Sequence, residues 1–450
     1  MQSPRLPPET LGTIFDYVAQ PFPDEAYNFD RADYTESELA FKRCFLALAL
    51  VCRDWYDVAY PYLNRILSIR FRPGLTARNR VGLKGLPDIL HWVDTQLPPA
   101  SVRRLRLIMT DQPVESDDKS DESSNKSVES SDELVLRGCD PSLVLALLRR
   151  FRNVHTIELF NLVFDHKQAV AHASTITAEH VPISLNTLVL ACAKHQLLPA
   201  DVVQLCTAWF GTVSAFIVRD DSEASLIGGR ALESLPARLA AHTLTVNIPG
   251  HKGVMDRLRH SPTFGNTPTL RVLHAMFLTF LHNNIDTFVK PAASVLEELH
   301  LDFTSVIFSR PANPAHAIAA HLSLVAMNLR PLLCLRELTV QLASKRHWFA
   351  VLHIIGTLSH PQAGVDGRGL PPLRCVTLVP QVLRGEEGIT AYNREFARVS
   401  TVLAGVPTLE RCTLNLRKVH NASDMLEHHK AWFNEHMAEL HRRDLLRFVS

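Results

Sequence analysis

The sequence lacks the motifs on which most enzyme and metal sites depend. It contains no GxxxxGK[ST] or GxGxxG phosphate-binding loop, no GxSxG nucleophile turn, no HExxH pair and no CxxC pair. No uninterrupted apolar run approaches the ~20 residues of a membrane-spanning helix, and the first residues hold no apolar core of signal-peptide length. We therefore expect a non-enzymatic protein without cofactor, metal or membrane span, located in the cytoplasm, the nucleus or both.

Charge and cysteine usage argue against further classes of protein, such as those that bind nucleic acid or membranes through their net charge. The formal net charge is +1, so no global field attracts the chain to nucleic acid or to a membrane surface. The eight cysteines are scattered and mostly lie in apolar runs, which predicts buried, reduced thiols. Two arginine clusters stand out, and they are either solvated edges of the fold or a basic patch for an anionic ligand or acidic partner. The clusters are Arg103, Arg104 and Arg106, and Arg149, Arg150 and Arg152.

One segment departs from the neutral balance of the chain. Residues 111–133 contain nine Asp or Glu, two Lys and seven Ser, with almost nothing to bury. This composition predicts a disordered acidic, Ser-rich loop. Ser130, with Glu133 three residues later, fits phosphorylation by an acid-directed kinase. The alternative is a solvated spacer without a modification.

Two apolar stretches near the N-terminus predict helices with more apolar surface than a small bundle can bury. In the first, Pro7 and Pro8 suit a helix start, and an apolar stripe follows at helical spacing. In the second, a stripe from Phe45 to Ala59 is widened by further apolar residues, and Pro61 is expected to end the helix. The stripe residues are Leu11, Ile14, Phe15 and Val18, then Phe45, Leu48, Cys52, Trp55 and Ala59, widened by Leu46, Leu50 and Val51. The surplus predicts a docking surface.

These stretches, LPPExLxxIF and LALxLVCRxWxxxAxPxL, followed by an alternating strand at Leu67–Phe71, resemble an F-box. The resemblance covers residues 1–70, with an acidic insertion at about 20–43. It implies a small helical bundle that docks on the Skp-type adaptor of SCF ubiquitin ligases. By motif position, the implied docking residues are Leu6, Pro7, Leu11, Ile14, Leu48, Val51, Cys52 and Trp55.

The remaining chain repeats one short pattern, apolar-x-x-apolar-x-apolar. Ten copies run from Val102-Leu105-Leu107 to Leu409-Cys412-Leu414, with helix-like segments such as Pro141–Phe151 between them. Units that alternate strand and helix at near-regular spacing predict an α/β solenoid. Residues 71–422 resemble an irregular leucine-rich-repeat array, which implies a horseshoe, and 423–450 is expected to be a helical cap. An ordinary α/β domain with parallel strands is the alternative.

Three functions follow as hypotheses. The first is the substrate-recognition subunit of an SCF-type ubiquitin ligase, which docks on the Skp-type adaptor and its cullin-RING complex and binds an unknown target protein through the repeat array. The second is an interaction scaffold whose F-box recruits no cullin, with the insertion at 20–43 as the obstruction. The third, an enzyme, would require a closed barrel with polar residues gathered at the strand ends.

Overall fold

The computed structural model shows alternating helices and strands. It describes residues 7–19, 36–71, 85–97, 99–109, 138–176, 181–192, 199–220, 232, 235–247, 258, 260–265, 267–276, 289–303, 328–342, 354–358, 370–380, 393–416 and 426–449. The helices are α1 (Pro8–Ala19), α2 (Glu36–Ala49), α3 (Arg53–Leu63), α4 (Leu86–Gln96), α5 (Pro141–Arg150), α6 (His166–Thr175), α7 (Ala200–Trp209), α8 (Asn393–Ala404), α9 (Leu426–His436) and α10 (Ala438–Arg442). Short 3-10 helices cover Pro99–Ser101 and Lys290–Ala292.

Twelve strands form a parallel sheet whose order is the order of the strands along the chain. They are β1 (Ile66–Phe71), β2 (Arg104–Met109), β3 (Thr156–Phe160), β4 (Ile183–Cys192), β5 (Phe210–Asp220), β6 (Ala240–Asn247), β7 (Val272–Met276), β8 (Glu298–Asp302), β9 (Glu337–Leu342), β10 (Cys375–Pro380), β11 (Arg411–Asn415) and β12 (Leu446–Val449). The predicted α/β class and the predicted strands are confirmed. The order ends at β1 and at β12, so the described strands do not form a closed barrel.

The chain divides into two compact units. Unit 1 comprises Met1–Leu205 and Gly228–Leu235, and unit 2 comprises Cys206–Ile227 and Pro236–Ser450. Unit 1 therefore contains β1 to β4, and unit 2 contains β5 to β12.

The repeated apolar pattern explains the strand register in both units. In unit 1 the middle apolar residue of each copy aligns across neighbouring strands, as Leu67–Leu105–Ile157–Leu188. In unit 2 the same alignment runs Phe216–Leu244–Leu273–Leu299–Leu338–Val376–Cys412–Leu446. All of these except Leu67 are buried. Because a shift of one residue would turn each row toward the opposite face, the apolar spacing fixes the register.

Local capping defines the connecting helices of unit 1. Asp140 precedes α5 and accepts the Ser142 backbone N–H at 2.8 Å, and Pro141 occupies the first turn. Asp165 caps α6 by accepting the Gln168 N–H at 3.0 Å. The backbone before α5 lies against the backbone before α6, and a Cβ on Gly138 would meet the Phe164 carbonyl carbon at 2.1 Å. Glycine at 138 is therefore required by close backbone approach.

The second N-terminal apolar stretch differs from its prediction. It forms two helices, α2 and α3, instead of one, because Cys52 is extended (φ −163°, ψ 175°) and starts a new helix. Pro61 lies inside α3 and does not end it. In the last turn of a helix a proline removes only one backbone bond, and the Asn64 N–H closes the helix on Tyr60 O at 3.3 Å.

The C-terminal cap also differs from its prediction. The segment is helical in α9 and α10, but residues 446–449 form β12, which pairs with β11. A tight turn with Asp444 at φ 55° separates α10 from this strand. Leu446 is buried in the apolar row of unit 2, so the C-terminal segment extends the sheet as well as covering it.

Candidate protein-interaction surface

The three N-terminal helices pack around a small aromatic core. Phe15 of α1 is fully buried and meets Phe45, Trp55 and Tyr62 edge-on, with ring centroids 5.8, 5.5 and 5.9 Å away. Phe45 also stacks on Tyr62 at 4.8 Å and packs against Phe41 at 4.7 Å. Aromatic pairs at these separations add to the free energy of burial. The cluster joins α1, α2 and α3 although few residues are available for a core.

A polar bond fixes α1 against α3 at the edge of this core. The Tyr62 hydroxyl donates to Asp16 Oδ1 at 2.6 Å. Burial raises the pKa of the Tyr62 phenol, the bond to Asp16 raises it further, and nearby Arg65 opposes the shift in part. Tyr62 therefore stays protonated and remains a donor at physiological pH.

Outside this core, the same helices expose an unusual amount of apolar surface. Among the described residues, six of the nine exposed large apolar side chains belong to α1, α3 or the end of α2 with the turn that follows it. They are Ile14, Tyr17, Leu46, Leu50, Val51 and Tyr56. Scattered single exposures are normal, whereas a concentration on one small helical region indicates an interaction site.

Three of these six side chains lie at the junction of α2 and α3. Leu46, Leu50 and Val51, which we call the apolar corner, are 53%, 78% and 60% exposed. The Leu50 N–H donates to Leu46 O at 3.2 Å, which places both side chains on one helix face a turn apart. The Val51 N–H donates to Leu48 O at 3.2 Å, so the corner has a defined backbone.

The residues implied by the F-box resemblance differ in exposure. Pro7, Ile14, Val51 and Cys52 are exposed, and the last two lie at the α2–α3 junction. Leu48 and Trp55 are half-buried against the aromatic core. Leu11 is 1% exposed and faces inward. Leu6 lies outside the described residues, as do residues 20–35 of the insertion and the whole loop 111–133 with Ser130.

Four exposed residues were not among the implied docking residues: Tyr17, Leu46, Leu50 and Tyr56. The apolar excess around Leu46 and Leu50 was visible in the sequence. The direction in which these side chains point was not visible. The sequence favoured one continuous helix, in which Cys52 would lie on the same face as Phe45, whereas α2 ends at Ala49 and a new helix follows.

The sheet of unit 2 offers a second, polar surface. On the face opposite the apolar row, one register row reads Thr245, His274, His300, Thr339, Thr377 and Thr413. We call it the threonine–histidine row, and each of its side chains is partly exposed. Hydroxyl and imidazole groups can donate and accept hydrogen bonds, so the row can bind the polar groups of a partner.

The two histidines of this row interact directly. Their rings stack with centroids 4.0 Å apart and planes 21° apart, and His300 Nε2 lies 3.5 Å from Glu298 Oε2. Burial, together with the smaller effect of the neighbouring His300 charge, lowers the pKa of His274 to about 4. His274 is therefore neutral at pH 7.

The corresponding face of unit 1 is buried and charged. Arg104 and Arg106 of β2 both bind Glu158 of β3: each Nε donates to a different carboxylate oxygen at 2.6 Å. All three side chains are nearly inaccessible to solvent. Arg150, in the second arginine cluster, binds Asp94 at 2.7 Å. Neither interpretation of the arginine clusters therefore fits Arg104 and Arg106, which form a buried ion triad.

All eight cysteines are free and five are buried, whereas Cys44 and Cys334 are half-buried and Cys52 is exposed. Burial raises the pKa of the Cys139 thiol, and that of Cys412 to about 12, which keeps both thiols protonated at neutral pH. Within the part of the chain that the structure describes, no group of three or more His, Cys, Asp or Glu could hold a metal ion. In that same part, no helix is both long and apolar enough to cross a bilayer.

Comparisons with known proteins add no assignment to this geometry. No protein-family model matches the chain, and no curated protein is significantly similar to it in sequence.

Proposed function

We propose that this protein is the substrate-recognition subunit of an SCF-type ubiquitin ligase. In this proposal α1, α2 and α3 form an F-box that docks on a Skp-type adaptor and, through it, on a cullin-RING complex. The strands and helices that follow form an irregular leucine-rich-repeat-like solenoid that binds the target protein. The chain itself carries no catalytic residue.

One observation carries the docking part of the proposal: the concentration of exposed apolar side chains on the three N-terminal helices, which includes the apolar corner. Burial of a large aliphatic side chain is worth about 1.5–3 kcal/mol, so the three corner residues alone could contribute roughly 5 kcal/mol on docking. Such a contribution is characteristic of the centre of a protein interface.

The target-binding part is supported by the polar face of unit 2. A row of partly exposed hydroxyl and imidazole groups, with a buried apolar row on the opposite face of the sheet, suits recognition of another protein surface. The mechanism is proximity. By holding the target and the ligase together, the chain raises the effective concentration of target lysines near the activated ubiquitin.

A scaffold that recruits no cullin is the alternative, and a feature of the N-terminal region favours it. The chain inserts an acidic stretch between the two F-box-like halves; α1 ends at Ala19, and α2 begins only at Glu36. An acidic stretch at this point would leave the adaptor bound and obstruct assembly of the cullin.

Co-purification separates the two functions. The full chain is mixed with a purified Skp-type adaptor and with the adaptor already bound to a cullin. Retention of both proteins supports the ligase, and retention of the adaptor alone supports the scaffold. Failure to retain the adaptor contradicts both. Leu50→Asp should abolish retention, whereas Val170→Asp should not, because Val170 is also exposed but lies on α6.

A further inference from the structure

The polar face of the unit 2 sheet, which carries the threonine–histidine row, has an uneven distribution of charge. On β7, β8 and β9 the described side chains of this face include carboxylates but no lysine or arginine, and all of them are at least partly exposed. The arginines of the face lie on outer strands of the unit: Arg219 on β5, Arg411 on β11 and Arg447 on β12. Negative charge is therefore concentrated in the middle of unit 2.

Two carboxylates occupy neighbouring positions there. Glu298 of β8 is aligned with Glu337 of β9, and adjacent strands lie about 4.8 Å apart. Each directly precedes a residue of the buried apolar row, so both side chains lie on the opposite, polar face. We call Glu298 and Glu337 the carboxylate pair. Glu337 is exposed, and it has no ion pair with any residue that the structure describes.

The arginines of the same face do not bond to the carboxylate pair. Arg411 is two strands from Glu337, about 10 Å away across the sheet, and its Nε donates to Sγ of the intervening Cys375 at 3.1 Å. Arg447 is one strand farther and binds both oxygens of Asp444, at 2.8 and 3.1 Å. A cation supplied by a partner would therefore complement the carboxylate pair.

We propose that this face binds an arginine on an extended segment of the target protein, with its guanidinium between Glu298 and Glu337. The inference rests on the proposed role of unit 2 in target binding. A guanidinium has five N–H donors in one plane and can bond to two carboxylates at once, whereas the ammonium of lysine is a point charge. Charge-assisted hydrogen bonds of this kind are stronger than neutral ones. The partner is thus an arginine-containing segment.

Neighbouring groups of the threonine–histidine row suit the backbone of such a segment. His300 and Thr339 lie two residues beyond Glu298 and Glu337 on the same face, and they are aligned with each other. Imidazole and hydroxyl groups can both donate and accept, so they can bond to the peptide groups beside the arginine. His300 Nε2 lies 3.5 Å from Glu298 Oε2, and His274, which stacks on His300, is neutral at pH 7 and does not repel a cation.

Ligand-observed NMR titration of the full chain tests the assignment, because this method measures weak binding of short peptides. The probes are three peptides, Gly-Ser-Gly-X-Gly-Ser-Gly, in which X is arginine, lysine or citrulline. Residues 111–133 are acidic and attract any cationic peptide, so the readout is the ratio of the arginine to the lysine affinity. This ratio should be about three or more, the effect of roughly one further hydrogen bond. Citrulline, which keeps the shape but not the charge, should bind most weakly.

Matched variants locate the site. The double variant Glu298→Gln/Glu337→Gln should bring the ratio to about one, because both carboxylates are then lost. Glu337→Gln alone should lower the ratio, and since Glu337 is exposed this variant is expected to fold normally. Glu410→Gln is the control. Glu410 is also exposed and pairs with Arg374 at 3.6 Å, away from the carboxylate pair, so the ratio should stay unchanged. Circular dichroism confirms folding of each variant.

The proposal is overturned if the unmodified chain binds the arginine and lysine peptides equally. It is equally overturned if the ratio is unchanged in folded Glu337→Gln and in the folded double variant. These titrations contain no adaptor, so a negative result leaves adaptor docking standing. Conversely, failure of adaptor docking would leave a measured preference for arginine intact.

Discussion

Replacement of Glu158 by glutamine should destabilise unit 1 severely. The carboxylate accepts a 2.6 Å hydrogen bond from Arg104 on one oxygen and a second from Arg106 on the other, in a region from which solvent is nearly excluded. The amide keeps the shape of the side chain but can accept on only one atom, and it removes the only negative charge of the triad. Two neighbouring buried guanidiniums would then both lose the carboxylate that they share.

The magnitude follows from the burial of the triad. Removal of one partner from a buried ion pair costs about 3–5 kcal/mol, and here two pairs lose the same partner. Glu297→Gln is the matched control. Glu297 also pairs with an arginine, Arg271, which directly precedes the neighbouring strand. The distance is 3.4 Å and both side chains are substantially exposed, so the loss of this pair should cost under about 1 kcal/mol.

Urea denaturation followed by circular dichroism measures the loss of stability in both variants. Each loss appears as a lower urea concentration at the midpoint, with an unchanged dependence of the free energy of unfolding on urea. A triple change of Arg104, Glu158 and Arg106 to apolar residues of similar volume should recover most of the stability, because no buried charge then remains. If Glu158→Gln and Glu297→Gln cost the same, the triad is not buried in solution, and the reasoning about the charged face of unit 1 is refuted.

Three further predictions concern other parts of the molecule. The His274 pKa of about 4 means that the unfolded chain takes up a proton first as pH falls from 6.5. Stability should therefore decline by roughly 2 kcal/mol toward pH 4 after allowance for partial exposure. His274→Gln should remove that decline in urea midpoints measured at several pH values; an unchanged pH profile would contradict the shift. Gly138→Ala should lower the melting temperature, because its Cβ would overlap the Phe164 backbone, and a melting temperature equal to that of the unmodified chain would argue against the close approach. Phe45→Ala should cost about 3–5 kcal/mol and should expose the N-terminal helices to limited proteolysis, whereas exposed Tyr17→Ala should do neither.

The sheet was predictable from the sequence because its physical cause is periodic. Leu299 and Leu338 each occupy the middle position of the repeated apolar pattern, which is typical of a buried strand. The structure aligns them on neighbouring strands. The last strand escaped prediction because Leu446 and Phe448 are too short a pattern to distinguish from the end of a helix.

The surfaces were less predictable because they depend on partners far away in the chain. Nothing local to Arg104 or Arg106 indicates that Glu158, more than 50 residues later, draws both inward. In the same way, nothing local to Trp55 indicates that it packs against Phe15, far earlier in the chain, or that α2 ends at Ala49. The excess of apolar residues in the N-terminal helices was predictable, but which of these side chains are exposed was not.

Calorimetric titration of the full chain with a purified Skp-type adaptor tests the central proposal most directly. The account predicts one-to-one binding that Leu50→Asp abolishes and that the surface control Val170→Asp leaves intact. Absence of binding, or equal binding by both variants, would contradict the assignment of the exposed apolar side chains of the N-terminal helices to adaptor docking.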